Sequence, residues 1–283
     1  MRCILTFFIM FLMGIYAVSA QALEPWELYD DFNSKFIDEE RWSGDESKTP
    51  RVILLENVRH IEGQRLRILN RSRQGPFIPP PPSPPPTDRG DNNMRVPTPL
   101  ANYITAIKVS VKVNDVESIG CPDTTTWQPT RARARLVGSF FNTTGVGNTG
   151  QQNDVIADII IQRFSDSPDK PQVLKVIGEV LKCIDSSCFN AANYQFEDLG
   201  DIMLGQWANI EIVWDKPNKT FFFKLNRNPP ASIVYTGVDN FLPNAPFKLM
   251  GVSQRFPFCP IAGREAFLDV DFENVFINES AFP

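Results

Sequence analysis

Apolar side chains recur at every second position through most of this 283-residue chain. A period of two fits β-strands, whose successive side chains point to opposite faces, whereas a helix needs apolar residues three and four apart. Ile107, Val109, Val111 and Val113 alternate with Lys108, Ser110 and Lys112. Residues 131–141 (RARARLVGSFF) and 172–183 (QVLKVIGEVLKC) alternate in the same way, and 154–164 (DVIADIIIQRF) are apolar on both faces, which predicts a central strand. Residues 207–215, 220–226, 232–237, 247–256 and 266–277 continue the pattern. Turn signals rich in Pro, Asn and Asp separate several of these runs, at 166–171, 215–218 and 242–246. Many strands at short spacing with almost no helix predict an all-β sandwich or barrel.

The first residues read MRCILTFFIMFLMGIYAVSAQALEPWE, with Arg2 as the only charge before Glu24. A basic start, an apolar run and a small-residue Ala20-Gln21-Ala22 site predict a secretory signal peptide over 1–22, with 23–283 as a single sandwich domain. Export permits disulfides, and cleavage leaves an even set of cysteines. Cys183 and Cys188 flank the short turn IDSS and are paired locally, which leaves Cys121 with Cys259. A zinc site is disfavoured by a single histidine, His60, and by the lack of any CxxC. After cleavage no stable membrane span is expected. The net charge is −5 and there is no basic tract, so a nucleic-acid partner is not expected. Residues 74–90 (QGPFIPPPPSPPPTDRG) cannot donate a ladder of hydrogen bonds and predict an extended polyproline II loop. Such a loop is either a stiff exposed connection or a docking arm for a protein partner.

Three motifs, in this order, carry a resemblance. They are YDDFNSKFIDEERWSG (29–44), LGQWANIEIVWDKPNKTFFFKLN (204–226) and FLDVDFENVFIN (267–278). The arrangement resembles the concanavalin A-like lectin/glucanase superfamily, which includes laminin-G modules and family 16 glycosidases, and is similar to exported bacterial proteins of that superfamily. The resemblance implies a two-sheet antiparallel jelly-roll β-sandwich and leaves the activity open. The residues agree with it: Ile210, Ile212 and Trp214 share one strand face, and Phe221, Phe223 and Leu225 share a face of the next. Trp42 and Trp207 are read as packing residues.

Two charged constellations are candidates for chemistry. Asp269, Asp271 and Glu273 lie on one strand face. The resemblance implies comparison with the acidic catalytic strand of family 16 glycosidases. This run departs from it, with Asp269 where a nucleophilic Glu belongs and a position on the closing strand. The same acids suit a structural calcium ion held by Asp271 with Asp30 or Asp31, or simple ion pairing. The second constellation is Arg131, Arg133 and Arg135, three guanidiniums on one face. Asp158 with Gln162, Glu179, and Glu211 with Asn209 are the expected counterparts. The face is then either a salt-bridged surface or a polar groove for sugars or carboxylates. Trp127, beside Cys121, is either a ring that stacks on a sugar or packing beneath its loop. The sequence supports a non-catalytic, lectin-like carbohydrate-binding protein. A glycoside hydrolase or lyase with a divergent acid pair, or an envelope or interaction protein, are the alternatives.

Overall fold

The computed structural model describes residues 26–75, 87–121, 129–145, 149–188, 190–257, 259 and 263–279. The leader, most of the proline-rich loop and Trp127 lie outside the described residues. The first strands are β1 (Glu27–Asp30), β2 (Ser43–Lys48), β3 (Val52–Ile61), β4 (Leu66–Gln74) and β5 (Asp88–Arg95). The long alternating runs become β6 (Ala106–Ile119), β7 (Arg131–Asn142), β8 (Asp154–Phe164), β9 (Val173–Cys183) and β10 (Ala191–Met203). The chain ends with β11 (Trp207–Asp215), β12 (Thr220–Leu225), β13 (Ala231–Val234), β14 (Lys248–Phe256) and β15 (Glu265–Asn278). The only helical turn among the described residues is a short 3-10 segment at Leu100–Asn102.

These strands form two antiparallel sheets. An eight-stranded sheet runs β13-β12-β11-β6-β15-β4-β3, and β1 pairs with the end of β15. A seven-stranded sheet runs β10-β9-β8-β7-β14-β5-β2. The fold is a jelly-roll sandwich. β8 is interior to its sheet, which is why its apolar residues need no alternation.

The alternating rows meet between the sheets. Ile107, Val109, Val111, Ile210, Ile212, Phe221 and Phe223 from one sheet are buried against Ala132, Ala134, Leu136, Ile159, Ile161, Val176 and Val180 from the other. A bulge between Ser139 and Phe141 interrupts the alternation, so Phe140 and Phe141 both enter the core. Their rings pack on Phe221 and Trp214. Trp42 is buried, and its indole N–H donates to Asp30 Oδ2 at 2.6 Å, which fastens the first loop to β1. Trp207 is instead partly exposed under the Lys112 ammonium.

Polar side chains also join the sheets, Gln254 most directly. Gln254 on β14 donates to the carbonyls of Asn70 on β4 (2.8 Å) and Ala266 on β15 (2.9 Å), tying the sheets together. Buried amides need such partners, since an unpaired one costs about 1–3 kcal/mol. The pairings Cys183–Cys188 and Cys121–Cys259 both form, across sequence separations of 5 and 138. Among the described residues no helix is long and apolar enough to cross a membrane.

Candidate functional site

The outer face of the seven-stranded sheet carries the residues that alternate with its core row. On β7 these are Arg131, Arg133 and Arg135, then Val137. On β14 they are Leu249, Gly251, Ser253 and Arg255. β5 adds Arg89, Asp91, Asn93 and Arg95, and β2 adds Asp45 and Ser47. β8 and β9 contribute Asp158 and Glu179, which stand directly opposite each other. Together these strands floor an open depression of about 240 Å³. Gly251 lies between Arg135 and Asn93 in the register. A Cβ there would stand 2.5 Å from both the Asn92 carbonyl oxygen and Asn93 Oδ1, so the floor needs a glycine for β5 to approach.

Most of the charges here are paired. Asp91 is buried and accepts from Arg255 at 3.2 Å and from Ser47 Oγ at 3.1 Å, with Arg89 Nε also 3.2 Å away. Burial pushes its carboxyl up, but Arg255, Arg89 and Arg135 overcome this and hold it down at about 2. Asp158 is fully buried and bound by Arg135 through both Nε and Nη2. Burial works against the Arg135 charge, yet Asp158 more than offsets it. Arg95 meets Asp45 at 2.7 Å.

Two groups break the pattern. Arg133 is only 7% exposed, but its sole hydrogen bond among the described residues is a long one, 3.4 Å to Ser253 Oγ, and its buried Nε has no partner. Burial, then the neighbouring Arg255 and Arg135, pull its pKa far down, with Asp158 and Glu179 opposing. A guanidinium stays charged at neutral pH, so this expresses a free-energy cost of holding it there. Glu179 accepts no hydrogen bond and makes no ion pair among the described residues. Burial first, and Asp158 second, raise its carboxyl above the usual range. Arg131 lies further along, with its guanidinium over the Phe164 ring.

One wall of the depression is apolar. Val137, Ile156, Phe247 and Leu249 pack with Cys183, and Cys188 of the short disulfide lies against them. The groove therefore presents charged forks beside a flat hydrocarbon surface.

The other predicted residues lie elsewhere. Glu211 is on β11 in the eight-stranded sheet, not beside the arginines. It lines a separate depression of about 270 Å³ on that sheet's outer face with Lys108, Ser110, Asn209 and Lys224. Alternation predicts the face a side chain takes on its own strand but not the sheet that strand joins. Asp269 and Asp271 are also on the eight-stranded sheet's outer face. Arg67 binds both oxygens of Asp269, at 2.9 and 2.7 Å, and Asp271 Oδ2 faces Arg65 at 3.2 Å and Lys112 at 3.0 Å. The pair is thus engaged as ion pairs. Glu273 lines a different hollow, with Asp31 and Asn33. Asp271 Oδ2 thus faces two cations, and Asp31 turns its carboxylate to Asn33. Among the described residues no group of three or more His, Cys, Asp or Glu side chains is placed to hold a metal.

Sequence reasoning missed the β5 side of the groove. Residues 88–95 (DRGDNNMR) resemble a turn by composition, yet Arg89, Asp91, Asn93 and Arg95 keep a period of two, and that was the available signal.

No family model matches the chain, and no curated protein sequence matches it. Solved structures do resemble it. A laminarinase from Flavobacterium sp. UMI-01 covers 88% of this chain and 97% of its own, with 11% identity and a TM-score of 0.46. A family 16 glycoside hydrolase of Bacteroides ovatus for mixed-linkage glucan covers 88% and 98%, with 10% identity and a TM-score of 0.44. A β-1,3-1,4-glucanase (lichenase) from a mouse hindgut metagenome covers 88% and 98%, with 10% identity and a TM-score of 0.39. The matched structures, polysaccharide lyases among them, are concanavalin A-like sandwiches.

Proposed function

We propose that this is an exported carbohydrate-binding protein, and that it binds without catalysis in the groove on the outer face of the seven-stranded sheet. The observation that carries the reading is a depression in which the buried Arg133 leaves Nε without a partner and the half-buried Glu179 has no hydrogen bond or ion pair among the described residues, beside the apolar wall of Val137, Ile156, Phe247 and Leu249. A sugar ring offers hydroxyl edges to polar side chains and a C–H face to hydrocarbon, so it matches both kinds of surface. On the opposite sheet, by contrast, Arg67 and Asp269 satisfy each other through both carboxylate oxygens.

Catalysis has one observation in its favour, the raised carboxyl of Glu179, which would suit a general acid. Hydrolysis through two carboxyls needs a second one free beside the substrate. Asp158, the residue opposite, is fully buried under Arg135. Export is supported by the leader-like N-terminus and by two disulfides, which persist in oxidising compartments.

A glycan array probed with the purified protein tests this reading. Binding to one or a few glycans is expected, retained by Glu211→Gln on the opposite sheet, with no new reducing ends formed on prolonged incubation. A blank array, or steady release of reducing ends, would overturn it.

A further inference from the structure

We infer that Arg133 receives the carboxylate of an acidic sugar, so that the glycan bound in the groove contains uronate residues. This rests on the groove being the binding site and adds the chemistry of what it binds. Arg133 is more than nine-tenths buried, lines the depression, and leaves Nε without an acceptor while Nη2 has only a 3.4 Å contact. A planar guanidinium is the side chain suited to hold a carboxylate through two parallel hydrogen bonds.

The surrounding charges leave room for an anion. Arg135 is engaged by Asp158, and Arg95 by Asp45, while Arg89 and Arg255 both reach Asp91. Among the described residues five guanidiniums thus face four carboxyls, Glu179 being the fourth. The overall charge of −5 is therefore not the charge of this groove. Arg133 sits between Arg135 and Arg255 without a carboxylate of its own, and a bound uronate supplies one. A neutral sugar would leave that charge buried and unanswered.

The arrangement predicts a trade between folding and binding. Removing a buried, uncompensated guanidinium relieves the fold, whereas a guanidinium that held the structure together would be missed. Calorimetric titration of the full chain with polygalacturonate, polyglucuronate, carboxyl-reduced polygalacturonate and a sulfated galactan tests the inference. At least one polyuronate is expected to bind, with the carboxyl-reduced polymer at least tenfold weaker. Arg133→Met is expected to lose at least tenfold in affinity while its Tm holds or rises. Arg133→Lys, which keeps the charge but not the planar fork, is expected to lose a comparable amount.

Equal binding of the carboxyl-reduced polymer would overturn the uronate assignment and leave the groove reading standing. Equal or tighter binding of the sulfated galactan would overturn the choice of carboxylate. A fall in Tm for Arg133→Met, with Arg133→Lys binding like wild type, would make the side chain structural. Absence of binding to any glycan, charged or neutral, would remove the groove reading and this inference together.

Discussion

Glu179 stands directly across the strand pair from Asp158, and only Asp158 is answered by a guanidinium, that of Arg135. Two acids at one cross-strand position repel unless each is compensated. The pairing therefore leaves Glu179 as the uncommitted carboxyl of the groove.

That asymmetry predicts a pH dependence. Burial and Asp158 raise the Glu179 carboxyl above its ordinary 4.5, and Arg133, Arg135 and Arg131 offset this only in part. Above pH 4.5 the folded state then binds a proton that the unfolded chain has released. Stability is expected to fall as pH rises from 4.5 through the raised folded value, and to level off beyond it. Glu179→Gln is expected to reduce this slope, leaving the part due to the raised carboxyls of Asp154 and Glu211, and to be at least as stable as wild type at pH 7. Melting curves at pH 5, 6 and 7 check it.

Lys248 gives a slope of the opposite sign. It is fully buried between the sheets, with Nζ donating to the carbonyls of Ala101 (3.0 Å) and Ser139 (2.6 Å) above the Phe140 ring. Burial pulls its pKa down to about 7. The unfolded lysine keeps its proton to about pH 10, so between about pH 7 and 10 the unfolded state binds the extra proton. Stability contributed by this group should rise with pH across that window. Urea midpoints at pH 7, 8 and 9 are expected to climb in wild type and to climb less in Lys248→Met.

Gly251 is where groove shape and stability meet. Its missing Cβ is what lets the Asn92 carbonyl and Asn93 approach. Gly251→Ala should force β5 away from β14 and cost about 1–3 kcal/mol, the range for overpacking a close contact. Because the floor moves, glycan affinity should fall with it. Urea denaturation and calorimetric titration of the same variant check both effects.

The two disulfides should differ in worth. A cross-link restricts the unfolded chain more when it closes a longer loop, which gives about 5 kcal/mol for the Cys121–Cys259 span and about 2 kcal/mol for Cys183–Cys188. Paired serine substitutions are expected to rank in that order in denaturant. The shorter pair borders the apolar wall of the groove, so its loss should register in binding despite the smaller cost.

The sandwich was legible because its strands obey one rule. The rows of β6, β11 and β12 alternate and appear in the structure as the core, and β7 does so up to its bulge at Ser139–Phe141. The arginines of β7 were legible for the same reason, since the residues between buried alanines must face outward. Sheet membership was not legible. Glu211 alternates on β11 as Asp158 does on β8, yet hydrogen bonding places them on opposite sheets. β5 was hidden because Gly90, Asn92 and Asn93 suggest a turn, and the strand forms only because β2 and β14 pair on either side of it. The arginine pairs of Asp269 and Asp271 join residues about two hundred positions apart, which no local pattern reveals.

The most direct measurement is amide chemical-shift mapping of the isotopically labelled protein titrated with the tightest binder from the glycan array. The account predicts shifts concentrated on β7, β14 and β5, at residues 131–135, 251–255 and 89–95, with the opposite sheet unmoved. Shifts centred instead on Ser110, Asn209 and Glu211, or none on the seven-stranded sheet at saturating glycan, would contradict it.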